Sequence, residues 1–195
     1  MSEIDFQAGL QLAHRHLSEL EDAGRAALVL IDGRAGSGKS HFARALTEAF
    51  FQEHQFTPKV ISMDDLYPGW NGLLEGSVYL LESVLLPLSK QQQASWQVWD
   101  WERSARGREE VGNGFRSHEP GNPLIVEGCG SLSKSAAELA TLRLWIESDA
   151  RVRRERYSQR DAGAFDEYFG IWAAQEDEFY AEHKSKSLSD LVIAN

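Results

Sequence analysis

The stretch Gly33-Arg34-Ala35-Gly36-Ser37-Gly38-Lys39-Ser40 constrains this chain more than any other, because it satisfies the P-loop pattern of Gly, four residues, Gly, Lys and then Ser or Thr. Its flanks agree. Ala26-Ala27-Leu28-Val29-Leu30-Ile31 is a short apolar run of buried-strand type, and His41-Phe42-Ala43-Arg44-Ala45-Leu46 reads as a helix. Strand, loop and helix in that order let consecutive backbone N–H groups converge on an anion at the positive end of the helix, and the glycines bend the backbone where a Cβ would clash. Residues 33–41 (Gly33, Arg34, Ala35, Gly36, Ser37, Gly38, Lys39, Ser40 and His41) are therefore expected to bind ATP. Lys39 would bridge the β- and γ-phosphates as a catalytic cation, and the Ser40 hydroxyl would ligate Mg²⁺. The fold expected around such a loop is an α/β three-layer sandwich, a parallel central sheet flanked by helices, with a small helical lid.

Residues 2–22 place Phe6, Leu10, Ala13, Leu17 and Leu20 at spacings of four and three, which predicts an amphipathic helix. His14 and His16, two residues apart, point in different directions on it and read as ordinary boundary histidines. A second strand is expected over 58–63, ending at Asp64-Asp65-Leu66-Tyr67-Pro68-Gly69-Trp70. Ligands collect at the carboxyl ends of parallel strands, so an acid there can reach a metal or take a proton from an acceptor hydroxyl; this reading is preferred to turn chemistry before Pro-Gly because the P-loop marks the same sheet edge as active. Leu74, Val78, Leu81, Leu85 and Leu88 predict a core helix. Trp99 and Trp101 either flank a planar ligand, with Asp100 between them, or pack on the sheet. The Gly- and charge-rich stretch from 103 to 122 shows little periodicity.

Residues 124–128 form another apolar run ending in an acid, Glu127, placed for a metal or substrate role or for pairing with an arginine. Cys129 has no neighbouring histidine to activate it and reads as a packing residue. A strand over 142–147 precedes a helix, capped by Ser148 or Asp149, on which Arg153, Arg156 and Arg160 share one face. That helix is either a solvated basic face or, with Asp161-Ala162-Gly163 behind it, a lid over about 149–165 that closes on phosphate. A helix over 165–183, with Phe165, Phe169, Trp172 and Phe179 inward, and a last strand at 190–193 complete the pattern.

Composition narrows the partners. The chain has 195 residues, a length that suits one domain over 1–195, and a formal charge of −10 with six Trp, nine Phe and five Tyr. An acidic, aromatic-rich chain argues for a globular protein with a small-molecule partner and against a nucleic-acid or anionic-membrane surface. One cysteine excludes an intrachain disulfide framework, no apolar run approaches the roughly 20 residues that cross a bilayer, and the start has no secretory pattern, so a cytoplasmic monomer or homodimer is expected.

Taken together, the P-loop, Asp64-Asp65-Leu66-Tyr67, Val98-Trp99-Asp100-Trp101, Val126-Glu127-Gly128 and the arginine helix make residues 26–161 resemble the uridine kinase and phosphoribulokinase-like group. The resemblance implies an ATP- and Mg²⁺-dependent kinase acting on a hydroxyl of a nucleoside-like small molecule. It implies Asp64 as catalytic base, Asp64, Tyr67, Asp100 and Glu127 as substrate contacts, Ser40, Asp64 and Glu127 as metal ligands, and Arg156 and Arg160 as catalytic lid arginines. Leu66 stands where the group has an aromatic and Trp99 where it has a tyrosine. Two other readings are carried forward: a nucleoside monophosphate kinase, for which Arg103, Arg106 and Arg108 could supply the basic pocket, and a regulatory P-loop ATPase without an acceptor.

Overall fold

The computed structural model describes residues 3–108, 114–160 and 162–195. Six strands pair in parallel in the order β1 (Glu3–Asp5), β10 (Leu191–Ala194), β9 (Leu142–Glu147), β2 (Leu28–Asp32), β8 (Leu124–Glu127) and β3 (Lys59–Ser62). The apolar run before the P-loop thus becomes a central strand, apolar on both faces because helices cover both. Its period of two divides the core. Val29 and Ile31 face α1 (Phe6–Asp22) and α2 (Lys39–His54), packing with Ala13, Leu17, Phe42, Leu46 and Phe50. Leu30 faces the other way, toward Leu73 and Leu80 of α3 (Leu73–Leu80) and Trp172 and Phe179 of α7 (Phe169–His183). This is the expected three-layer α/β arrangement, and it puts the carboxyl ends of β2, β3 and β8 side by side.

Several local expectations change. The first helix starts at Phe6 because Asp5 caps it, its carboxylate accepting from the Gln7 and Ala8 amides at 2.9 and 3.0 Å. The residues before it form β1, an edge strand too short to show periodicity, paired to β10 with Glu3 opposite Val192. The helix expected through Leu88 is α3, a π-turn over Leu81–Leu85 and α4 (Leu86–Ser89). Pro87 explains the break: with no N–H, it gives the carbonyl four residues back no α-helical partner, and its ring presses on that turn.

The stretch without periodicity holds short antiparallel pairs, β4 (Ala94–Gln97) with β7 (Phe115–His118) and β5 (Trp99–Asp100) with β6 (Ala105–Arg106). Two-residue strands carry no alternation for a sequence to display. Residues 109–113, within the stretch from 103 to 122, lie outside the described residues. After α5 (Lys134–Ala137), the arginine helix is α6 (Ala150–Arg160), its first turn capped by the Asp149 carboxylate, which accepts from the Arg151 amide at 2.9 Å. The last long helix begins at Phe169 and not at Phe165, after a tight turn over Asp166–Tyr168. It is followed by the short α8 (Ser185–Leu188). His14 and His16 meet the Glu53 carboxylate and the Thr141 carbonyl at 3.1 Å each, an ordinary boundary setting. Among the described residues, no helix is long and apolar enough to cross a membrane.

Candidate active site

The P-loop leaves the end of β2 and wraps the start of α2. Gly38 is the cap residue of α2 at φ +100, with no side-chain cap, and a Cβ there would strike the Asn195 amide; a Cβ on Gly36 (φ +77) would strike the Arg153 carbonyl. Glycine is therefore required by close approach as well as by φ. Beneath the loop lies Asp32, fully buried. Its Oδ1 accepts from the Gly33 amide (2.7 Å), the Gly130 amide (3.1 Å) and the Tyr180 hydroxyl (2.7 Å), and its Oδ2 accepts from the Leu132 amide (2.8 Å). Glu176, also buried, accepts from the Ala35 amide at 2.6 Å and from the Cys129 thiol at 3.2 Å, and its other oxygen faces Arg34 at 3.5 Å.

Sequence reasoning missed both acids. Asp32 directly precedes the motif, and Glu176 and Tyr180 are four apart on one face of α7. The signal was present but is invisible without knowing that α7 lies under the loop.

At the mouth of the loop, Lys39 Nζ donates to the Arg34 carbonyl at 3.1 Å and contacts Cys129 Sγ at 3.4 Å. Ser40 Oγ donates to Glu127 Oε2 at 3.1 Å. Burial disfavours the Lys39 ammonium, but the Cys129 sulfur and the Glu127, Glu176 and Asp32 carboxylates outweigh it and hold its pKa above the ordinary value. Burial, then the nearby Asp64 charge, pushes Glu127 up, opposed by Lys39 and by hydrogen bonds from Ser62 and Ser40. Asp32 is pushed up to about 6 by burial, against its four donors and Lys39. Burial also pushes the Cys129 thiol well up, as suits a packing residue.

A tight turn over Met63–Asp65 carries β3 into the site, with Ser62 Oγ accepting from the Asp64 amide at 3.3 Å. Trp101 Nε1 donates to the Asp64 carbonyl at 2.9 Å, so the β5–β6 hairpin pins this turn. Asp64 is exposed, whereas Asp65 is half buried and its pKa is raised by burial, partly offset by Arg116. The Tyr67 hydroxyl donates to the Cys129 carbonyl at 2.7 Å.

One cavity of about 770 Å³ joins these parts: Lys39, Ser40 and His41 on one side, Asp64, Asp65, Tyr67 and Glu127 in the middle, and Trp70, Trp101, Glu102, Phe165 and Trp172 beyond. That is the size of a small-molecule site. Of the loop, Ala35, Gly36 and Gly38 also line it; Gly33, Arg34 and Ser37 lie behind.

The structure does not bring every expected residue here. The Asp100 carboxylate accepts from the Glu102 and Arg103 amides at 3.1 and 3.0 Å and pairs with Arg103 at 3.6 Å, capping its own hairpin outside the cavity wall; Trp101 and Glu102 line it in its place. Trp99 turns to the Arg106 guanidinium, 5.6 Å from its ring. The face shared by the three arginines also divides. Arg153 donates to the Ser148 and Ala35 carbonyls at 3.2 and 3.3 Å, and Arg156 to Ser148 Oγ and the Asn195 carbonyl at 3.3 and 3.5 Å, while Arg160 lines the cavity with Tyr157. Asp161, in the expected lid, lies outside the described residues.

No protein-family model matches the chain, and no curated protein matches it in sequence. Solved structures do. It superposes on a possible uridine kinase from Bacillus stearothermophilus with a TM-score of 0.61 at 16% identity, over 95% of this chain and 99% of that one. The YGR205w protein superposes at 0.57 and 12% identity, covering 99% and 94%. A candidate fructose transport system kinase from Silicibacter sp. TM1040 superposes at 0.54 and 18% identity, covering 94% and 98%. The chain shares the fold of uridine kinase-like and related P-loop kinases.

Proposed function

We propose that the protein is an ATP-dependent kinase that transfers the γ-phosphate to a hydroxyl of a small, nucleoside-sized molecule. The observation that carries this reading is the single cavity in which the P-loop's Lys39 and Ser40 share a wall with Asp64, Glu127 and an aromatic pocket of acceptor size. A regulatory ATPase has no use for that pocket. The monophosphate kinase reading needs cations around the acceptor, and Arg103, Arg106 and Arg108 do not line the cavity: Arg103 pairs with Asp100, and Arg106 stacks on Tyr79 at 3.9 Å.

Gly36, Gly38, Lys39, Ser40 and His41 hold the ATP phosphates on main-chain amides, the Gly33 and Ala35 amides being engaged by Asp32 and Glu176, and Lys39 meets the charge of the transferring group. Ser40 and Glu127 fit Mg²⁺. Their oxygens already meet at the mouth of the loop, which suits an ion usually held by one or two carboxylates together with phosphate oxygens. When bound there, the ion would neutralise phosphate charge. Asp64 orients the acceptor hydroxyl and takes its proton as the new oxygen–phosphorus bond forms and the bond from the γ-phosphorus to the ADP oxygen breaks. Arg160, with α6 as a lid, completes the phosphate side.

The test is transfer of radiolabel from γ-labelled ATP across a panel of nucleosides, sugars and amino alcohols. Acceptor-dependent transfer abolished by Lys39→Ala is expected; ATP hydrolysis indifferent to every acceptor would reject the reading.

A further inference from the structure

The two ends of the cavity differ in charge. Lys39 and His41 belong to the loop and α2, whereas Asp64, Asp65 and Glu102 belong to the turn after β3 and the β5–β6 hairpin; Arg160, at the tip of α6, stands over the Tyr157 ring. Between the acids stand aromatic rings gathered on Trp70: Tyr168 stacks on it at 4.4 Å and 4°, and Trp101, Phe165 and Trp172 surround it at 5.0, 5.1 and 6.5 Å. Trp101 remains 38% exposed. Neutral bases and sugars are read by amides and hydroxyls, yet among the described residues no Asn, Gln or Thr lines the cavity, the one serine besides Ser40 is Ser62, and the Tyr67 and Tyr157 hydroxyls donate to the Cys129 and Phe165 carbonyls at 2.7 and 3.2 Å. Asp64 and Glu127 have work at the reacting atoms. Glu102 has none there, and its carboxylate has no ion-pair partner among the described residues.

Electron-rich ring faces flanked by carboxylates attract organic cations: the rings meet the charge through their quadrupoles, and the acids meet it directly. We propose that the acceptor is an organic cation bearing a hydroxyl, with its positive group held between the Trp70–Trp101 rings and Glu102 and its hydroxyl directed to Asp64. This rests on the kinase reading for the hydroxyl's fate, while the preference for charge is a property of the pocket alone. It also gives the acidic end a purpose that a phosphorylated or neutral acceptor would not.

Isosteric pairs test it: choline against its neutral carbon isostere, and hydroxyethylpyridinium against phenylethanol, each titrated calorimetrically into the full chain with Mg²⁺ and a non-hydrolysable ATP analogue. The cation of each pair should bind about tenfold tighter than its isostere. Glu102→Gln, a change at an exposed hairpin residue, should narrow that ratio about threefold. Isosteres that bind within twofold of their cations, or no binding by either cation, would overturn the proposal. Radiolabel transfer separates the two ideas. A cation preference without transfer to any alcohol would keep this inference and sink the kinase, and transfer to neutral alcohols without a cation preference would do the reverse.

Discussion

On the kinase reading the cavity has a phosphate end and an acceptor end, and the two are made from different material. The phosphate end is main chain. Its amides are aimed by glycines and held from below by Asp32, Glu176 and Tyr180, so its geometry follows from one contiguous segment locked to the sheet. The acceptor end is side chains, brought by the turn after β3, the β5–β6 hairpin and the segment before α7. A main-chain site tolerates substitution of most of its side chains but not of its framework; a side-chain site can change specificity one residue at a time. Damage at the first end should therefore spread to ATP binding and turnover together, and damage at the second should fall on the acceptor step.

The sharpest way to break that contrast is to remove the loop cation that lines the cavity. Lys39→Ala should cut transfer by about 10³ to 10⁵, the range for cations that meet a transferring phosphoryl group. Lys39 is nearly buried among acids, so the variant should also melt earlier; Lys39→Met, which keeps the stem, separates lost packing from lost charge. Transfer near the parental rate would end the loop's assigned role.

Asp64→Asn is the counterpart at the other end. It keeps shape and loses the base, so turnover should fall by about 10² to 10⁴ with ATP affinity almost unchanged. Asp65→Asn should do less, since Asp65 is half buried and lies under the field of Arg116. Steady-state kinetics with ATP and acceptor varied separately would show the reverse order if Asp65 is the base.

The framework under the loop has its own signature in pH. Asp32 has an ordinary carboxyl pKa of 3.8 that rises to about 6 in the folded chain, so between those values the native state holds a proton that the unfolded state has released. Unfolding then releases a proton, and stability must fall as pH rises through the window, by about 3 kcal/mol in all. The contribution is complete below the lower value and gone above the upper one. The difference in unfolding free energy between the parent and Asp32→Asn, measured from pH 4 to 7, isolates it; a difference that grows with pH would mean that the four donors outweigh burial.

How much of this was legible in the sequence follows the same divide. The contiguous parts were readable, because a P-loop, the apolar runs 124–127 and 142–147 and the Phe6-Leu10-Ala13-Leu17-Leu20 stripe each declare themselves locally, and together they fix a parallel sheet covered on both faces. The carboxyl ends of β2, β3 and β8 do meet, bringing Asp64 and Glu127 to Lys39 and Ser40. What was not legible depends on distance in space. Asp100 reads like Trp101 and Glu102 in sequence, but a hairpin only two residues deep turns its carboxylate onto its own backbone. Asp32 and Glu176 look like any strand-end or helix acid until α7 is placed beneath the loop. Trp70 and Tyr168, nearly a hundred residues apart, form a stack that no local pattern announces.

The smallest effect concerns α6, whose arginines run from the loop, at Arg153, to the cavity wall, at Arg160. Arg153, Arg156 and Arg160 lie on one face by spacing, which makes them equal candidates for closing on phosphate. Their contacts make them unequal. Arg156 is committed to Ser148 and Asn195 at the base of the helix, where its hydrogen bonds hold α6 against β10. Arg160, at the far end beside Tyr157 and Phe165, lines the cavity itself. If α6 acts as a lid, its tip meets charge that develops during transfer, while its base only sets its position. Arg160→Ala should then lower kcat by about 10- to 100-fold with little change in ATP affinity, and Arg160→Lys should restore part of it because charge counts there more than fork geometry. Arg156→Ala should cost less in kcat and show instead as a lower melting temperature. Equal kcat losses from the two would mean that the helix swings as a unit over the phosphates, and that its contacts with Ser148 and Asn195 break when ATP is bound.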